Sequence, residues 1–432
     1  MTSIDDTDRE NVLTAVEELL PELQEFVGDL VAERSVLGDE AGAQAVVRDR
    51  LEALDLSVRE LNADDVDGIR DHPEFSDAGH SYESRSNLVA ERSGTGEGRS
   101  LVFNGHVDVV PENDREKWSF DPFSGAVEDG RILGRGASDM KGGVGAMIFA
   151  LAALDRAGVT LQGDLAIETV IEEEAGGFGG SLATALAGPA AGGAYDAVVI
   201  PEPTDFDMWI ANDGVSYFRV TVEGKSAHAA RTDDGVNAAA KLYPIFQALS
   251  ELHDERKTSV HDPLFEQWYD QTVSLNLGSI HAGEWPSSVP DEATLEARIS
   301  HAPAETREHI HTVVEETVRE AADDPWFDEH PPTVEWFGWR GSSAKIGTDE
   351  PIIHAVQDVM GTMNGESQPK GFPGGIDSRF FVNYADTPAI CFGPGAHNIH
   401  GTDEFLPVDE LERITKAYAL LAMEWCGYEE DE

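Results

Sequence analysis

The 432-residue chain carries 83 Asp+Glu against 30 Lys+Arg, a formal net charge of -53. That balance excludes polyanionic partners, nucleic acid and anionic membrane surfaces alike. An apolar fraction of 41% still supports a sizeable core, with length enough for two domains. Only eight of the basic residues are lysine, a composition expected of a solvated, salt-adapted surface in which ionic strength screens self-repulsion. Acid by itself therefore says nothing about substrate. Cys391 and Cys426 are too few for a disulfide framework and lack C-x-x-C spacing. The acidic start MTSIDDTDREN has no apolar core of a secretory signal, and the expected location is cytoplasmic.

Helical spacing of apolar residues appears over 11–33 and again over 41–54. Residues 62–82 are acidic and irregular, and a surface loop is expected there. Short apolar runs then alternate with helical patterns: SLVFNGHVDVV, the helix after Met140, DLAIETVIEEE and DAVVIPEP. The stretch VGAMIFALAAL (144–154) is too short to span a membrane and reads as a buried helix. This alternation predicts a mixed, largely parallel α/β sheet covered by helices.

From about Gly214 the rhythm changes. VSYFRVTVEG alternates as a half-buried strand, a helix with Pro244 at an expected kink follows, and two strands, a helix over 303–321 and the strand PTVEWFGW complete the segment. The order β-α-β-β-α-β is the split pattern of a ferredoxin-like domain. The expected organisation is an α/β domain built from 1–213 and 340–432, with an α+β domain inserted over 214–339.

Sites in open α/β sheets form outside the carboxyl ends of the strands. Here those ends carry His106 and Asp108, the triplet Glu172–Glu174, and Glu202, while AICFGPG leads on to His400. Asp139 lies in the glycine-rich turn GRGASDMKGG, which lacks the last glycine of a dinucleotide fingerprint. Each residue alone has a plain structural explanation: a satisfied polar side chain, a helix cap, one more acid among many. Together, imidazoles and carboxylates converging on one sheet edge are a ligand set for zinc-like divalent metals.

The motifs GHVDVVP, GRGASDMKGG, EEEAGG, PEPT and IHGTDEF resemble those of the two-zinc deacylases. That family includes acetylornithine deacetylase, succinyl-diaminopimelate desuccinylase, aminoacylase and carboxypeptidase G, and AGEWPSSVPD looks especially like its formylaminopyrimidine deformylases and acetylornithine-deacetylase-like members. The resemblance implies that His106, Asp139 and Glu202 hold one metal and that Asp139, Glu174 and His400 hold the other. The metals would be zinc, with cobalt able to substitute. It implies a cis Asp139–Met140 peptide and Glu173 as general base. Asp108, two residues beyond His106 on the same side of an extended strand, is expected to fix the imidazole tautomer. Neighbours on a strand face opposite ways, so the strand end must curl if Glu173 and Glu174 are both to face the metals.

In the insert, His228 of EGKSAHAARTDDG resembles a lid histidine that acts across a homodimer on the oxyanion. Asn276 and Arg298 are weaker candidates for substrate contact. GGIDSRF resembles a Gly-Gly-Thr-Asp-Ala-Arg segment, which implies that Arg379 grips a substrate carboxylate, although Ile376 replaces the usual hydroxyl residue. The implied function is removal of a small acetyl, formyl or succinyl group from the nitrogen of a small substrate. The alternatives are a dipeptidase or carboxypeptidase with the same centre, or a non-catalytic metal-binding protein.

Overall fold

The computed structural model describes residues 4–429 apart from 77–78, 190–191 and 193. The chain forms two compact units, one of Met1–Ile210, Ile346–Lys370 and Ile376–Glu432, the other of Ala211–Lys345 with Gly371–Gly375. The second unit thus starts and ends a few residues outside 214–339, and it recruits a short later segment that periodicity does not mark.

In the first unit a mixed sheet runs in the order Val58–Leu61, Asn87–Arg92, Leu165–Val170, Leu101–His106, Ala197–Ile200, Ala389–Phe392 and Met208–Asn212, the last strand carrying the chain out of the unit. Its four central strands, Leu165–Val170 to Ala389–Phe392, are parallel, and the flanking pairs are antiparallel. Successive residues of Leu101–His106 show that both faces are covered. The Phe103 ring lies 5.0 Å from Tyr418 of the helix Val408–Cys426, whereas Asn104 accepts from Ser181 and donates to Thr184 of the helix Ser181–Ala187. Such strands read as continuous apolar runs because neither face meets water.

The first predicted helix spans Asp6–Ala32 and runs through Pro21, with Asp5 capping its start by accepting from the Thr7 amide at 2.8 Å. The run after Met140 is the helix Gly142–Ala157, which packs against both Asp6–Ala32 and Val408–Cys426. By length and composition Ala137–Ala157 could cross a membrane, but its apolar part is buried inside the protein, with Asp155 and Arg156 exposed at its end. Gly145 permits the close helix approach: a Cβ there would sit 2.3 Å from Val27 Cγ2. The segment 62–82 departs from a plain surface loop. It forms short turns at Ala63–Asp65 and Ile69–Asp71 and buries Ala63, Ile69, Glu74 and Tyr82.

The second unit is a four-stranded antiparallel sheet in the order Leu275–Ala282, Glu292–His301, Gly214–Glu223, Thr333–Gly341. Helices Ala238–Ser259 and Arg307–Ala321 bury Leu242, Ile245, Leu249, Ile310, Val314 and Val318 against Phe218, Val220 and Val222 of the sheet. Ala238–Ser259 continues through Pro244 as one helix, and Thr306 caps Arg307–Ala321 by accepting from His309 N. The recruited segment is tied in by backbone: Asp213 N donates to Phe372 O at 3.1 Å, and Arg298 Nη2 to Pro373 O at 3.3 Å.

Asp213 is fully buried in this unit, and burial pushes its carboxyl up from 3.8 to about 8 against the smaller opposing effects of Ser300 and Arg298. Between those values the unfolded chain has released a proton that the folded chain keeps, so this group lowers stability as pH rises through the window. Asp213→Asn removes the titration. Its stability advantage over wild type, from urea unfolding at each pH, should grow between pH 4 and 8 by at most about 1.4 kcal/mol per pH unit and level off above. A difference independent of pH would refute the assignment.

Candidate metal centre

The parallel strands bring their carboxyl ends to one edge of the sheet, and the glutamate triplet follows Leu165–Val170. There the strand curls. Glu172 adopts a left-handed φ of 70° and Glu173–Ala175 form a 3₁₀ turn, so consecutive acids no longer alternate. Glu172 faces inward: its Oε1 accepts from Tyr82 Oη at 2.9 Å and the Gly179 amide at 3.2 Å, and its Oε2 from Arg85 at 3.4 Å. Arg85 in turn makes a bidentate pair with buried Glu40 at 2.6 and 2.7 Å. Gly177 has a φ of +70°, and a Cβ there would lie 2.2 Å from Asp377 Oδ1, so glycine is required on both counts.

Asp108 does not hold the imidazole in the way the sequence suggests. The backbone carbonyl of Asp108 accepts from His106 Nδ1 at 2.9 Å, whereas the nearer carboxylate oxygen is 3.6 Å away. The carboxylate instead accepts the amides of Glu173 and Glu174, each at 3.1 Å. Because a carbonyl can only accept, Nδ1 carries a proton, and in the neutral imidazole the lone pair is then on Nε2. Among the described residues that buried Nε2 has no hydrogen-bond partner.

What surrounds Nε2 is carboxylate: Asp139 Oδ1 at 3.3 Å, Glu202 Oε1 at 3.8 Å and Glu173 Oε2 at 4.0 Å. The other oxygen of Asp139 lies 3.4 Å from His400 Nε2, which is 3.1 Å from Glu174 Oε2. Asp139 therefore spans two imidazoles, one oxygen to each. It sits in the turn Ala137–Lys141, with the Asp139–Met140 peptide cis. Two groups of donor atoms, His106–Glu173–Glu202 and His106–Asp139–Glu174, each lie within 4.8 Å of one another. Bonds of ~2.0–2.1 Å to a tetrahedral ion place neighbouring donors about 3.3 Å apart, so these spacings fit a cation between them.

The electrostatics point the same way. Burial and then Asp377 push Glu173 well above the usual carboxylate range, and burial and then Asp139 do the same for Glu202. Asp139 and Glu174 raise His400 to about 10, while burial opposes the charge of His106 and Asp139, Asp108, Glu202 and Glu173 more than restore it. Without a cation the cluster balances its charge by holding protons, which a divalent ion would replace.

Arg379 is a correction. It is fully buried, donating to Gly176 O at 2.5 Å and Ile376 O at 2.8 Å, with its guanidinium 3.9 Å from the Phe380 ring centre. It braces the backbone after the triplet and presents no face to a substrate. Asn276 and Arg298 are paired in register across the second unit's sheet; Asn276 is exposed, and Arg298 also donates to Ser274 Oγ at 3.0 Å. His228, in the same unit, is exposed and accepts from the Ala230 amide at 3.0 Å. Sequence reasoning missed Asp377, whose buried carboxylate faces Glu173 closely enough to raise its pKa. It also missed Tyr82 and Arg85, which hold Glu172. Asp377 stands two residues before Arg379 in the motif already singled out, and that adjacency was the available signal.

A family model described as peptidase family M20/M25/M40 matches residues 102–424. The N-formyl-4-amino-5-aminomethyl-2-methylpyrimidine deformylase of Halalkalibacterium halodurans is 28% identical over 369 residues, covering 80% of this chain and 84% of that protein. The succinyl-diaminopimelate desuccinylase of Methylorubrum extorquens is 29% identical over 403 residues, covering 89% and 94%. In fold, the di-peptidase Dug1p of Saccharomyces cerevisiae matches with a TM-score of 0.74 at 15% identity, over 98% of this chain and 99% of that one. The family match takes in most of the chain, including every proposed donor from His106 to His400. The chain therefore belongs to peptidase family M20/M25/M40 and is an amide-bond hydrolase.

Proposed function

We propose that the protein binds two divalent cations, zinc or cobalt, and removes a small acyl group from the nitrogen of a small substrate. The observation that carries this reading is the Asp139 carboxylate shared between His106 and His400, one oxygen to each imidazole. His106, Asp139 and Glu202 would hold one ion and Asp139, Glu174 and His400 the other. Bound there, the ions supply Lewis acidity toward the amide carbonyl and toward a water molecule.

The chain's own residues do the rest. Asp108 keeps the proton on His106 Nδ1 through its carbonyl and aims Glu173 and Glu174 through its carboxylate. Glu173, outside both proposed ligand sets, takes the proton from the attacking water at its carboxylate and delivers it to the leaving nitrogen. The acyl preference is supported by the deformylase and desuccinylase names of the curated relatives, both of which take an acyl group from nitrogen. We further propose that the chain is a homodimer through its inserted unit, with His228 acting on the partner's site and Asn276 and Arg298 near the substrate. In support, the edge strand Leu275–Ala282 leaves one side without a partner strand among the described residues, with Ile280 exposed on it and Trp285 exposed just past its end.

Glu173→Gln should keep two ions per chain, counted by elemental analysis, while kcat falls about 10²–10⁴-fold. Unchanged turnover would remove Glu173 from the proton path. Presented with N-formyl-aminomethylpyrimidine, acetylornithine, succinyl-diaminopimelate and a dipeptide in molar salt with zinc or cobalt, the enzyme should favour one of the three acylated compounds in kcat/KM. A preference for the dipeptide overturns the acyl assignment. For His228, mixing inactive Glu173→Gln and His228→Ala chains should restore activity through hybrid dimers; two preparations that stay inactive after subunit exchange argue against a trans role.

A further inference from the structure

Two residues of the motifs around Asp139 and His400 are absorbed by none of these roles. Arg135 stands in GRGASD and Glu404 in HGTDEF, and both are buried. One oxygen of Glu404 accepts three backbone amides of the turn that carries Asp139: Gly136 at 3.0 Å, Ser138 at 3.1 Å and Asp139 itself at 3.1 Å. Its other oxygen accepts from Arg135 Nη1 at 2.5 Å. The second arm of the Arg135 fork donates to Gly401 O at 2.7 Å, the carbonyl next to His400.

His400 needs such an anchor. It lies outside any helix or strand, half exposed, in a stretch where Asn398, His400 and Asp403 all adopt left-handed φ of 56–58°. Non-glycine residues in that region are strained and persist only when their surroundings hold them. Ser119 holds the far end by donating to both Asp403 oxygens at 2.7 and 2.8 Å, and Arg135 holds the part nearest the imidazole.

We infer that Arg135 and Glu404 are positioning residues: they join the Asp139 turn to the His400 loop and so set the spacing of the cation site completed by Glu174. The inference rests on the two-cation reading above. An arginine is needed because its planar fork reaches two acceptors in fixed directions, whereas lysine keeps the charge beside Glu404 but cannot reproduce both bonds. A pair that merely stabilised the fold would affect both ions in proportion to lost stability. A positioning pair acts chiefly on the ion that depends on His400.

The test is calorimetric titration of the metal-stripped, full-length protein with Zn²⁺, alongside thermal melting. Wild type should take up two ions per chain. Arg135→Lys should weaken one of them 10–100-fold and leave the other within about threefold, the range expected for groups that orient ligands. His400→Ala marks which ion is affected, and adding Arg135→Lys to it should cost the remaining ion nothing further. Glu404→Gln provides a second variant that keeps the shape of the side chain and an acceptor for the amides; because it also loosens the turn of the shared Asp139, it should weaken both ions, the one held by His400 more strongly. Wild-type affinity for both ions in Arg135→Lys or Glu404→Gln overturns the inference, as does equal weakening of both ions in step with the melting temperature. A wild-type chain that binds no zinc fails one level earlier, at the two-cation reading itself.

Discussion

The chemistry of the site depends on one hydrogen bond, from His106 Nδ1 to the carbonyl of Asp108. A carbonyl has no proton to give, so the bond keeps a proton on Nδ1 and leaves Nε2, which faces Asp139, Glu202 and Glu173, as the nitrogen that can give up its proton to a cation. It also releases the Asp108 carboxylate for a second task, accepting the amides of Glu173 and Glu174. A single residue past the end of a central strand thus orients an imidazole on its own strand and the acids that follow the neighbouring one. Position makes this possible, since Leu101–His106 and Leu165–Val170 are parallel neighbours with their ends in register.

Acid is abundant in this chain, but two kinds of it sit in and around the core of the first unit. Glu40 and Glu172 are satisfied by Arg85, Tyr82 and the Gly179 amide, and Glu168 accepts from Asn104. These are structural anions whose charge meets a donor inside the fold. Asp139, Glu173, Glu174 and Glu202 instead face one another and two imidazoles, an arrangement that balances its charge only by holding protons or a cation. Composition cannot separate the two kinds. Partners can.

The legible part of the sequence was whatever depends on local order. Apolar runs ending in His, Asp or Glu identify the strand ends, and parallel packing then gathers those ends on one edge, so His106, Asp139, the triplet Glu172–Glu174, Glu202 and His400 could be named together, while only the resemblance to the two-zinc deacylases singled out Glu174. Alternation and helical spacing likewise outline the β-α-β-β-α-β insert. What could not be read depends on contacts between distant segments. Arg379 sits in a motif suggestive of carboxylate binding, yet it is spent on Gly176 O, about two hundred residues earlier in the chain. Tyr82 lies in a stretch that looks like plain acidic loop, and its hydroxyl is committed to Glu172 ninety residues away. The choice between the carbonyl and carboxylate of Asp108 is finer still, because both acceptors belong to the same residue.

One device recurs at the centre. The carboxylates of Asp108 and Glu404 are not aimed at the proposed cations; each accepts backbone amides from a turn that bears a donor, Glu173–Glu174 in one case and Asp139 in the other. Turns carrying like charges into one pocket would spread apart if they were free to move. A neighbouring lysine or arginine could hold them, but its charge would compete with the cation for the same carboxylates. Backbone amides restrain the turn without drawing a lysine or arginine onto the donor side chains, and an oriented amide binds an anion without adding a full positive charge. The Arg135 guanidinium, though positive, is directed at the anchor Glu404 and at a carbonyl, away from the donor oxygens. Acids that hold backbone thus allow other acids to remain available for metal.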